Sequence, residues 1–127
     1  MGLFDYYQPR PEIACPFCGK ELTDWQGKDG PCALFVWRQG VVAPIDQPVS
    51  DDARLDPETM ARITLPTSFM IYAYCCGQKY PVEASCSAPA GVWTGLELVT
   101  AKNATQRKHE TRAAFKARLK WLKSAAV

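Results

Sequence analysis

Cys15-Pro16-Phe17-Cys18-Gly19 is answered much later in the chain by Tyr74-Cys75-Cys76-Gly77. Two cysteines two residues apart, with Gly after the second, make a turn whose backbone amides point back at the sulfurs. Zn²⁺ takes four ligands in a tetrahedron with Zn–S near about 2.3 Å, and such a loop supplies two of them. The other common use of Cys-x-x-Cys is a redox pair, but those pairs sit between strand and helix in a βαβ unit. No such pattern surrounds residues 15–18. Metal is the better reading.

The second half of the site is less regular. If Cys76-Gly77 matches Cys18-Gly19, Ala73 stands where a repeated motif would place its first cysteine. The expected ligands of a structural Zn²⁺ are Cys15, Cys18, Cys76 and a fourth that is Cys86 or the adjacent Cys75. Cys32 is a remoter candidate, and packed thiols without a metal are the alternative. The single histidine, His109, falls on the polar side of a basic segment and is expected in solvent.

Outward from these motifs, the 127 residues are 47% apolar and 22% charged, with net charge +2. One domain fits that length. Disordered, collagen-like and coiled-coil chains are excluded by composition. No run reaches the about 18 apolar residues of a membrane span. The N-terminal Met1-Gly2-Leu3-Phe4-Asp5-Tyr6-Tyr7 has neither the basic flank nor the apolar core of a secretory signal. Tyr6 stands where a myristoylation motif wants Ser or Thr. The expected compartment is the reducing cytoplasm, where six cysteines are thiols or metal ligands.

Charge is unevenly placed. Residues 1–101 carry seven Lys/Arg and twelve Asp/Glu, whereas residues 102–127 carry eight Lys/Arg and one acid, Glu110. A basic segment therefore follows an acidic body, which it either covers or leaves for an external anion.

Local signals favour short strands. Residues 33–38 and 41–43 flank Gln39-Gly40 as a hairpin, with Gly40 supplying positive φ. Residues 44–55, with Pro44, Pro48 and Asp51-Asp52, read as an exposed loop. Residues 55–63 read as a short helix, capped by Asp56 with Pro57 at its first position. Residues 68–74, 79–84 and 92–100 are strand candidates, and Pro81 suggests an edge for the second. From Asn103 to Ala126 the chain lacks Gly and Pro and has helix composition. There Phe115, Leu119, Leu122 and Ala126 form a stripe, widened by Ala114 and Trp121, while Arg112, Lys116, Lys120 and Lys123 flank it. The apolar side is expected to pack on the body rather than on a membrane. The expected fold is α+β: a short-stranded antiparallel sheet with a zinc-ribbon-like knuckle and a long C-terminal helix. Residues 1–101 form the body and 102–127 a basic helix packed on it.

Met1-Gly2-Leu3-Phe4-Asp5, Cys15-Pro16-Phe17-Cys18-Gly19 and Trp25-Gln26-Gly27-Lys28-Asp29-Gly30-Pro31-Cys32 together resemble a loose group of small bacterial and phage-associated zinc-ribbon proteins. The resemblance covers the first third of the chain. It implies a ribbon whose halves each end in Cys-x-x-Cys, a pattern from which Ala73 departs, and it implies no activity.

Three functions compete. A non-catalytic, zinc-stabilised protein-binding module, such as an immunity protein or antitoxin that blocks a toxin, suits the size, the acidic body and the aromatics Phe4, Tyr6, Tyr7, Trp25 and Trp37. Its candidate partner contacts are Trp25, Lys28, Arg112, Lys116, Lys120 and Lys123. Nucleic-acid binding through the basic helix ranks second, since the net-negative body would repel a polyanion. An enzyme ranks last: one histidine is available to activate a thiol, and a four-ligand metal leaves water no position.

Overall fold

The computed structural model describes residues 4–47 and 55–125. Its elements are β1 (Asp5–Gln8), β2 (Trp25–Gly27), β3 (Val36–Arg38), α1 (Pro57–Ala61), β4 (Ser68–Ala73), β5 (Val82–Ser87), β6 (Gly95–Leu98) and α2 (Arg112–Lys123). The strands form one six-stranded sheet in the order β3-β1-β2-β4-β5-β6. Each strand alternates inward and outward residues, as a sheet with one packed face requires. Inward-facing Tyr7, Trp25, Trp37, Phe69, Ile71 and Ala84 build the core together with Trp93. Tyr7 lies 5.4 Å from the Phe69 ring and 5.7 Å from that of Trp93. Past β3, the Gly40 N–H donates to the Trp93 carbonyl (2.7 Å) and the Gln39 side-chain amide to that of Thr94 (3.0 Å). These bonds join the two ends of the sheet, which curls around the core.

The sheet is mixed, not antiparallel as expected: β3 runs parallel to β1 while every other pairing is antiparallel. Asp5 explains the departure. Fully buried at the start of β1, its carboxylate accepts hydrogen bonds from the backbone N–H of Cys32 (3.2 Å), Ala33 (3.0 Å) and Phe35 (3.0 Å), and from the Trp37 indole (3.2 Å). Those bonds gather the loop after β2 across the end of β1, so the chain returns beside β1 in the same direction. The turn at Gln39-Gly40 forms, with Gly40 at φ +88° and Val41 N–H donating to Arg38. Its return arm, however, pairs with β3 at Asp46 rather than over 41–43. The exposed loop expected over 44–55 lies outside the described residues from 48 to 54.

The long helix is also corrected. Helix α2 spans 12 residues and begins at Thr111, whose side chain accepts from the Ala114 N–H. Upstream, polar side chains bond the backbone in competition with a helix. Asn103 donates to the Leu98 carbonyl and accepts from Thr100 N–H, and Glu110 accepts from Arg107 N–H. The residue that α2 buries is Arg118, which donates to Glu110 at 2.9 and 3.0 Å and to the Thr105 carbonyl at 2.8 Å. Phe115, Leu119, Trp121 and Leu122 are half-buried, Ala114 is exposed, and Ala126 lies outside the described residues. Helix α1 forms as its capping residues require, with Asp56 accepting from Thr59 N–H at 2.7 Å. Pro81 precedes β5, an interior strand and not an edge. Among the described residues no helix is long and apolar enough to cross a membrane.

Candidate metal centre

Two turns make the site. The first sits between β1 and β2, where Ala14 and Glu21 bridge and Leu22 N–H donates to Ile13. Within that small hairpin Cys15 N–H donates to Lys20 (2.7 Å), Gly19 N–H to the Cys15 carbonyl (2.9 Å) and Phe17 N–H to the Cys15 sulfur (3.4 Å). Gly19 holds φ +78°, a conformation that favours glycine. The second turn tops the β4–β5 hairpin. Gln78 N–H donates to the Cys75 carbonyl, and Cys76 and Gly77 both have positive φ, as in the mirror-image type I turn. In an extended strand adjacent side chains point oppositely; this left-handed step lets Cys75 and Cys76 face one place.

The turns bring four sulfurs together. Cys15 and Cys76 are 3.9 Å apart, Cys18 and Cys75 3.4 Å, and all four sulfurs lie within 4.8 Å of one another. A tetrahedron with Zn–S bonds of about 2.3 Å has edges of about 3.8 Å. The four cysteines are therefore close enough to bind a metal ion with little rearrangement. Cys15 is buried, Cys75 half-buried, and Cys18 and Cys76 are at the surface. As free thiols Cys18 and Cys75 titrate apart. The Lys20 backbone amide, then the Cys75 thiol, bring Cys18 down to about 7, while its hydrogen bond with Cys18 and burial push Cys75 up to about 12. Burial raises Cys76 as well.

Cys86, one of the two candidates for the fourth ligand, is not in this group. It points into the core opposite Phe69, four β5 residues beyond Val82, or roughly 13 Å along the strand. Burial pushes its thiol up to about 12. Cys75 takes the fourth place. Cys32 is held elsewhere, donating its S–H to the Lys28 carbonyl at 3.0 Å. His109 is exposed.

Compared with family models, curated proteins and solved structures, the chain matches none.

The candidate partner contacts divide. Trp25 is only 1% exposed and belongs to the core, so it offers no contact surface. Lys28, Arg112, Lys116, Lys120 and Lys123 are exposed. A second constellation escaped sequence reasoning: Trp121 of α2 stacks on Phe17 (4.6 Å), leans on Tyr80 (5.1 Å) and donates its indole N–H to the Gln78 side chain (2.9 Å). Phe17 belongs to the first cysteine turn, and Gln78 and Tyr80 follow the second. The helix thus rests on both turns that carry the cysteine cluster.

Proposed function

We propose that the chain is a non-catalytic scaffold, tied by a structural Zn²⁺, that recognises another protein. The observation that carries this reading is the group of four cysteine sulfurs within 4.8 Å. An all-thiolate tetrahedron suits Zn²⁺, and four protein ligands leave no position for a reacting water. The recognition half of the reading is supported by the outward face of the sheet. Tyr6, Gln26, Tyr72 and Glu83 stand in register across β1, β2, β4 and β5. Beside them Met70 is 38% and Tyr74 68% exposed. Tyr and Met on an accessible, rigid sheet are interface-forming residues.

Metal per chain, measured by elemental analysis, tests the first half. Zinc near one equivalent is expected, lost in Cys75→Ser and retained in Cys86→Ser; equal zinc in both variants defeats the ligand assignment. A photo-crosslinking residue at Tyr74 tests the second. One discrete protein adduct is expected there and none from the same residue at Glu58 on α1; no adduct at Tyr74 removes the partner.

Nucleic-acid binding is the second reading, and the flank of α2 favours it. Of the basic residues after 101, Arg107 pairs with Glu83 and Arg118 with Glu110, and the others form no ion pair among the described residues. Retention on DNA that falls steeply with salt would support it.

A further inference from the structure

Between the first cysteine turn, the ends of β5 and β6 and the last turn of α2 lies a cavity of about 290 Å³. Its walls are apolar, including Phe17, Val82, Leu98, Trp121 and Leu122. Among the described residues, the charged ones lining it are Lys102 and Lys123. Both are exposed, and neither forms an ion pair among the described residues. A concave apolar chamber with a few placed polar groups is the general form of a small-ligand site. Here the charge is of one sign.

We propose that this cavity binds a small amphiphilic carboxylate, its tail against the Phe17–Trp121 wall and its head between Lys102 and Lys123. Two features select this class. An apolar lining rewards a hydrocarbon body in proportion to the area taken from water, and two unneutralised ammonium groups reward one anionic head. The same lining disfavours a peptide. Thr100 supplies the one side-chain hydroxyl among the lining residues, so buried peptide amides would go largely unpaired, which is costly. The site is distinct from the tyrosine-bearing sheet face and from the ligand sulfurs, although Pro16 and Phe17 of the first cysteine turn form part of its wall.

Calorimetry with decanoate and decylamine below their micellar concentrations, and with decanol below its solubility limit, separates head from tail. The protein is used metal-loaded, with its zinc content measured in parallel, so that a failed metal centre is recognised separately from a failed ligand site. Decanoate is expected to bind about tenfold more tightly than decanol, the gain two partly exposed charge contacts allow, and decylamine more weakly still. The double variant Lys102→Gln/Lys123→Gln should bring decanoate to the level of decanol. Filling the chamber with Ala125→Trp should abolish binding of all three while zinc content is unchanged. Methyl NMR shifts at Leu98 and Leu122 should accompany binding. Equal affinity for decanoate and decylamine, an unchanged double variant, or no decanoate binding by zinc-loaded protein would overturn the assignment.

Discussion

At the scale of the residue, Asp5 does the most with one side chain. Its carboxylate gathers three loop amides and the Trp37 indole in a site closed to water. Asp5→Asn keeps the shape but turns an NH₂ donor toward N–H groups that need an acceptor. The expected loss is about 2–4 kcal/mol, since buried donors left unpaired cost more than the bonds themselves yield. Urea unfolding measures it, and a midpoint unchanged from wild type would mean the loop holds itself. Nothing in the Phe4-Asp5-Tyr6 context advertises this role, because an Asp beside aromatics reads equally well as surface. The cysteines differ. Cys15 and Cys18 are legible from spacing alone, but the choice between Cys75 and Cys86 depends on the backbone of Cys76. Only its left-handed conformation lets neighbours in sequence become neighbours around one point.

At the scale of the element, α2 is held by its ends. Near its N-terminus Glu110 bonds Arg118 through both oxygens, and this guanidinium, together with the Arg107 amide, holds the Glu110 carboxyl down to about 2 against an ordinary 4.5. The unfolded chain therefore binds the Glu110 proton more readily than the folded one. Stability from this pair is fully present above about pH 4.5 and is lost as pH falls through about 2. Glu110→Gln should remove that part of the acid dependence, read from unfolding midpoints between pH 2 and 5. An unaltered acid limb would show that other groups set it. At the other end, Trp121→Ala removes the stack on Phe17 and the bond to Gln78. We expect a loss of about 1–3 kcal/mol, with faster amide exchange confined to α2 and the two cysteine turns. Uniform acceleration across the sheet would contradict the docking described. Much of this level was readable beforehand. The Asp56-Pro57 cap and the β-prone run at 68–74, which forms β4 over Ser68–Ala73, are local signals. The start of α2 was not readable, since Asn103 and Glu110 spend their side chains on nearby backbone where composition alone suggests helix.

At the scale of the whole molecule, two separate devices close the fold. Trp25, Trp37 and Trp93 pack in an apolar core carried by the strands, which of the four clustered cysteines buries Cys15, while the sulfurs gather where two hairpin turns meet. Chelation should therefore lower the melting temperature by about 10 °C or more while leaving the β signal in circular dichroism at 25 °C. Complete unfolding on chelation would mean that the core does not stand without the ion. Sequence patterning foresaw strands and a gathering of cysteines from two distant turns but not the mixed sheet, because the parallel pairing of β1 with β3 arises from a contact between residues 5 and 32–37 that no local periodicity encodes. One consequence concerns how the protein is observed. Three of its four indoles are sealed from water, and Trp121 alone is partly open while touching both cysteine turns. A soluble quencher such as acrylamide would thus address a single emitter, and the chain carries a built-in optical gauge of whether its helix is seated.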